Sequence, residues 1–281
     1  PLDKKFNPDF AIPGKKPVGG VEVDWSSPLA NKLEFLFMDL LSPDLVTGLV
    51  PDSISATQKI SFMERWGAGR STSFNGSTNG VIWPSSPGHK TLTSSTLNAL
   101  CKVSSFPVSY AGITSISAGG ETSAVNYVDF LGITSDKRIR AFWEYGSGTN
   151  VLTDSVVTSM NTDEWHIITI VRETAGTSSV AFYLDGVAVS GGTTGLTNPS
   201  GGSSSTVHVG RDNTGFYFDG EVAFSTRSSR AWSAEEVARF AKDPYQILKP
   251  TTQTGYFPSG VAAVTSALTG TATATITETD I

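Results

Sequence analysis

The pattern of apolar and polar positions is clearest between residues 163 and 189, where it predicts two strands of different kind. Asp163-Glu-Trp-His-Ile-Ile-Thr-Ile-Val-Arg172 carries Trp165, Ile167 and Val171 at odd positions and Ile168 and Ile170 at even ones. A short run that is apolar at both parities fits a strand covered on both faces. The following run, Ser179–Val189, alternates instead, with Val180, Phe182 and Leu184 set against Ala181, Tyr183 and Asp185. Asp185-Gly186 predicts a tight turn into Val187–Val189, because both residues tolerate positive φ.

The same reading extends along the chain. Glu34–Leu41 is a mostly apolar strand followed by a polar turn at Ser42–Gly48. Tyr127, Asp129, Leu131 and Ile133 alternate against Val128 and Phe130. Ile139, Ala141, Trp143 and Tyr145 alternate against Arg138, Arg140 and Glu144, which predicts one buried face and one wet face. Val207–Arg211 and Phe216–Phe224 complete the set, after a Gly/Ser/Thr loop over Gly191–Ser205. One helix is predicted. Ser233-Ala-Glu-Glu236 has the form of a capping box, Val237, Phe240 and Ala241 mark an apolar face, and Asp243-Pro244 stops it.

The ends differ from this middle. Residues 1–32 read as an extended, Pro-rich arm, since Pro8, Pro13, Pro17 and Pro28 forbid a helix there. Phe6, Phe10, Ile12, Val21, Val23 and Trp25 would anchor such an arm on a partner subunit; otherwise it is a loose tail. Residues 33–249 form the sandwich. From 250 to 281 the chain turns Thr/Ala-rich, and Thr271–Glu278 alternates with period two, as a linker followed by the start of a further β element or a strand that pairs with another subunit.

Three motifs carry a family resemblance: the Trp165–Arg172 run with Tyr183-Leu-Asp-Gly186; Phe74-Asn-Gly-Ser77 with Val81; and Asp219-Gly220 … Arg230-Ala-Trp-Ser233 … Val237 … Leu248. Residues 33–248 resemble a laminin-G-like domain of the concanavalin A-like lectin/glucanase group, of the kind found in bacteriophage structural proteins. The resemblance implies an all-β fold, a jelly-roll β-sandwich with one short C-terminal helix, and an early hairpin at Asn75-Gly76. It also implies relatives that mostly bind rather than catalyse, often with calcium held by loop carboxylates. Glu221–Ser225 departs mildly from the family's charged-aliphatic strand.

Composition narrows the function classes. With 28 Gly, 14 Pro and only 16% charged residues, short strands and turns are favoured over helices. The net charge is −6, and the one basic cluster, Lys137-Arg-Ile-Arg140, reads as a solvated strand edge, so nucleic acid is not an expected partner. Cys101 stands alone, so no intrachain disulfide is expected. The N-terminal residues lack the basic and apolar regions of a signal peptide, and no apolar run approaches the roughly 18 residues of a membrane span. Assembly in a host cytoplasm and residence in a virion are the expected localisation.

The candidate chemistry is sparse. Glycoside hydrolysis needs two carboxylates flanking the bond; the nearest string, Glu22-Val-Asp24-Trp-Ser26, has Ser in the third place and lies in the arm. His89, His166 and His208 fall in separate segments, and no nucleophile elbow or phosphate-binding loop occurs. A non-catalytic protein is expected. Calcium, which takes hard oxygen ligands, has candidates in Asp129, Asp185, Asp212, Asn213 and Asp219, with Asp212 and Asn213 foremost because they occupy a loop between strands. Trp83, Tyr145 and Tyr217 are candidate glycan platforms, with Asn213 as a polar partner. The expected function is a bacteriophage virion surface protein (capsid decoration, head fibre or tail-associated adhesin) that is homo-oligomeric, attached to other virion proteins through its arm, and binds host-surface glycans. The alternative is a carbohydrate-binding module, free or attached to an enzyme.

Overall fold

The computed structural model describes residues 20–251 apart from 39, 64, 87–93, 118–126, 146–148, 176, 193–204 and 213. The first strands are β1 (Val21–Val23), β2 (Leu33–Phe37), β3 (Ser53–Ile54), β4 (Thr57–Met63), β5 (Gly67–Asn75) and β6 (Val81–Ser86). The middle of the chain forms β7 (Ser95–Val103), β8 (Tyr110–Ser117), β9 (Tyr127–Thr134), β10 (Ile139–Tyr145), β11 (Thr149–Asp154) and β12 (Trp165–Ala175). Next come β13 (Thr177–Leu184), β14 (Val187–Val189), β15 (Ser205–Val209), β16 (Asp219–Ser228), the helix α1 (Ala234–Lys242) and β17 (Leu248–Pro250). One sheet runs β11-β10-β9-β8-β15-β6-β3 and the other β14-β13-β12-β7-β16-β5-β4, with β2 paired to β16. This is the expected all-β sandwich of antiparallel sheets with one helix.

The two-faced run explains the layering. Ile168 and Ile170 of β12 enter the layer between the sheets, where they join Phe37, Trp83, Leu131, Trp143 and Phe182. Trp165, Ile167 and Val171 of the same strand point the other way, into a second apolar layer with Trp66, Phe224, Val237 and Phe240. Helix α1 seals that second layer through Val237, Phe240 and Ala241. Each large side chain so buried contributes about 1.5–3 kcal/mol. The capping box forms as expected: the Ser233 hydroxyl accepts from the Glu236 N–H at 3.3 Å, and the Glu236 carboxylate accepts from the Ser233 N–H at 2.9 Å. The Asp185-Gly186 turn also forms, with φ of 53° and 82°, placing Leu184 opposite Val187. A Cβ on Gly186 would lie 2.8 Å from that of Ala241, so the helix requires glycine there.

The inner layer also holds charge. Asp129 on β9 accepts from Arg172 Nη2 at 2.8 Å and from Arg227, with the Ser95 hydroxyl at 3.1 Å. Burial would raise the Asp129 pKa, but Arg172 and Arg227 outweigh it and hold the carboxyl below its ordinary value. The Arg172 guanidinium lies 5.4 Å from the centre of the Trp143 ring.

Two expectations need correction. Asn75-Gly76 does not close a hairpin: β5 pairs with β4 and β16 in one sheet, whereas β6 pairs with β15 and β3 in the other. The Asn75 carbonyl oxygen Oδ1 accepts from the N–H groups of Ser77, Thr78 and Asn79 at 3.1, 3.0 and 3.2 Å. That local capping satisfies the turn without a ladder between its flanking strands, and the chain crosses between sheets. Nor is the described part of the Pro-rich segment a separate arm. β1 pairs antiparallel with β17, Val21 facing Pro250 and Val23 facing Leu248, while Leu29 and Ala30 are buried in the second layer. Residues 21–32 therefore belong to the sandwich. Residues 1–19 and the alternating stretch 271–278 lie outside the described residues.

Candidate functional site

Three connections meet at one end of the sandwich. Asn75 pairs with Asp219 and Val103 with Gly220, which places the end of β5, the end of β7 and the start of β16 side by side. Backbone bonds tie the loops together: Gly76 N–H to Phe218 O at 3.0 Å, Ser104 N–H to Asp219 O at 3.0 Å, and Gly112 N–H to Phe216 O at 3.2 Å. Between them lies a cleft of about 380 Å³. Phe106, Tyr110, Phe216 and Tyr217 supply its aromatic lining, and Asn75, Ser105, Ser109 and Asp219 its polar groups. Val108 projects fully exposed at its rim.

The loop between β15 and β16 is held by Asp212. The Thr214 and Phe216 N–H groups donate to its Oδ1 at 2.9 and 2.8 Å, and the Tyr127 and Thr214 hydroxyls to its Oδ2 at 2.7 and 2.9 Å. This braces Phe216 flat against Tyr110, with ring centres 3.9 Å apart. Gly112 admits the loop: a Cβ there would come within 2.9 Å of the backbone at Arg211 and Asp212. The Arg211 guanidinium covers one face of Tyr217 at 5.3 Å. Burial, and then the charge of Asp212, push the Tyr110 hydroxyl up to about 12, so it remains a donor near neutral pH. Asp219 is half-buried, and its Oδ2 accepts from the Ser105 hydroxyl.

The predicted site residues scatter. Tyr217 lines the cleft, and so does Asp219. Trp83 does not: it is 0% exposed and stacks on Phe37 with ring centres 3.8 Å apart, so its ring offers a ligand no surface. Trp83 shares its inward parity on β6 with Val81, and that put it in the core. Asn213 and the side chain of Tyr145 lie outside the described residues. Asp212 already takes four protein donors, which uses the lone pairs a calcium ion would need. Asp129 is engaged by two arginines, and Asp185 by the Ile167 N–H and His166 Nδ1, each at 2.9 Å. Among the described residues no group of three or more His, Cys, Asp or Glu is placed to hold a metal.

Sequence reasoning passed over Ser105, Phe106, Val108, Tyr110 and Phe216. The available signal was Ser104-Ser-Phe-Pro-Val-Ser-Tyr110, where large apolar residues sit in a polar, Pro-containing connection.

Residues 75–238 match the laminin-G-type model described as the concanavalin A-like lectin/glucanases superfamily, and the chain belongs to that superfamily. A search among curated proteins gives no match. Among solved structures, the binding domain of Paraclostridial Mosquitocidal Protein 1 is similar with a TM-score of 0.55 and 12% identity, over 76% of this chain and 52% of that one. The botulinum neurotoxin serotype G binding domain gives a TM-score of 0.50 and 12% identity, over 74% and 50%. A Trypanosoma rangeli sialidase gives 0.48 and 15%, over 73% and 31%. The chain thus spans about a third to a half of the length of these structures, and at such identities the likeness concerns the fold alone.

Proposed function

We propose that the chain is a non-catalytic binding protein whose sandwich holds glycans in the end cleft, and that it is carried on a bacteriophage particle as a capsid decoration, head fibre or tail-associated adhesin. The observation that carries the binding reading is the cleft itself. Its volume of about 380 Å³ falls within the ~300–1,000 Å³ common for small-ligand sites. Tyr217, with Arg211 over its ring, would meet the apolar side of a sugar ring, while Asp219, Ser105, Ser109 and the Tyr110 hydroxyl offer hydrogen bonds to its rim. Membership of a lectin-containing superfamily supports this. The non-catalytic reading is supported by the lining: most glycosidases use two carboxylates, and Asp219 is the one carboxylate among the described residues of this cleft.

The virion placement rests on the Arg230-Ala-Trp-Ser233 … Val237 resemblance to bacteriophage laminin-G-like domains. In this reading the chain is a homo-oligomer bound to other virion proteins, with its cleft turned to host-surface glycans. A glycan array probed with the full chain tests the binding: saturable binding to particular glycans, lost in Tyr217→Ala, is the expected result. Immunogold labelling of purified particles tests the placement, and particles without label would refute it.

A further inference from the structure

Resting on that glycan-binding reading, we infer that the cleft selects uncharged sugars and rejects sugars that carry a carboxylate. The described lining of the ligand space carries charge of one sign. Asp219 lines the cleft, and among the described lining residues none is Lys, Arg or His. With Oδ2 accepting from Ser105, Asp219 keeps Oδ1 without a hydrogen bond among the described residues. A carboxylate oxygen in that position accepts strongly from sugar hydroxyls, because the bond is charge-assisted. A second carboxylate brought beside it meets like charge in a half-buried setting, where repulsion is little screened.

Three cations stand over aromatic rings of the lining without themselves lining the cleft. Lys137 lies 5.3 Å from the Phe106 ring, Arg140 5.0 Å from Tyr110, and Arg211 5.3 Å from Tyr217. Arg140 is also spent on Asp154, with two bonds of 2.8 Å. The Arg211 Nε–H donates to the Asp212 carbonyl oxygen at 2.9 Å, beside that residue's own carboxylate. A ligand stacked on Tyr217 opposite Arg211 would stand a further ~3.5–4.0 Å from the guanidinium. That puts roughly 9 Å between the ligand and the guanidinium, while Asp219 acts at contact, and Coulomb interaction falls with distance. Asn75 cannot compensate as a strong acceptor, since its Oδ1 is filled by three backbone N–H groups.

The test is calorimetric titration of the full chain with matched pairs: gluco- and galacto-oligosaccharides against the corresponding uronic-acid oligosaccharides, which differ by CH₂OH against carboxylate. Neutral members are expected to bind at least ~100-fold tighter, and Asp219→Asn to shrink that ratio at least tenfold by weakening the neutral sugar and strengthening the acidic one. Equal or tighter binding of the acidic member by the native chain overturns the inference, as does an Asp219→Asn variant with an unchanged ratio; either result leaves the glycan-binding reading standing. No binding to any neutral or acidic sugar overturns both.

Discussion

Asp129 and Asp219 both sit among aromatic rings, one between the sheets and one at their end, and they are used in opposite ways. Asp129 is engaged by two guanidinium groups and a serine, in a layer that excludes water. Asp219 is engaged by one serine hydroxyl and borders an open cleft. Asp212 lies between them in behaviour: its surroundings are buried, but its four donors all belong to the loop it braces and to Tyr127. The number of protein donors already committed separates a carboxylate that stabilises the fold from one that retains accepting capacity.

The sharpest test removes the inner charge. Asp129→Ala removes the carboxylate that two buried guanidinium groups share and is expected to cost about 3–5 kcal/mol by denaturant unfolding. A loss under about 1 kcal/mol would mean the arginines are compensated elsewhere, and the contrast with Asp219 would collapse. His208 extends the comparison to pH. Burial first, then Arg211, lower its pKa from 6.5 to about 4 against the opposing charge of Asp212. Across that window the unfolded chain binds a proton that the folded chain does not. Stability is therefore full above about pH 6.5 and falls as the pH drops toward 4, by about 3 kcal/mol in all. Unfolding midpoints of the native chain and His208→Gln near pH 7 and near pH 4.5 check this: the variant should lose less on acidification.

Smaller effects are expected nearer the cleft. Asp212→Ala frees two backbone N–H groups and two hydroxyls, at a cost of roughly 2 kcal/mol. It should also weaken glycan binding, because Phe216 loses its brace. Asp219→Asn, which keeps an oxygen for Ser105, should move the unfolding midpoint by no more than about 0.5 kcal/mol. A cost near 2 kcal/mol would place Asp219 with the fold-holding carboxylates and remove its distinction from Asp212.

What was legible in the sequence was whatever depends on neighbours a few residues apart. The double parity of Trp165–Val171, the Asp185-Gly186 turn and the Ser233–Glu236 capping box each report local geometry, and each appears in the structure. Asn75-Gly76 was legible as a turn but not as a crossing, because the partner of Asn75 is Asp219, far along the chain. Trp83 illustrates the same limit. Its chemistry suits a sugar platform, but only the packing of Phe37 against it shows that the ring is inside. The cleft is built from three loops brought together by strand order, so Tyr217 and Asp219 were visible as candidates while Phe106, Tyr110 and Phe216, which share the space with them, were not.

The three-residue pairing of β1 with β17 also has a mechanical side. Because Val21 faces Pro250, the chain enters and leaves the sandwich at adjacent points. Tension applied through the two flanking segments would peel those pairs apart one after another, rather than shear a ladder all at once. Pairs loaded in sequence yield at low force, so this ribbon acts as a clasp that opens first and shields the rest of the sandwich. A pull on the flanks would thus open this ribbon before it disturbed the end cleft.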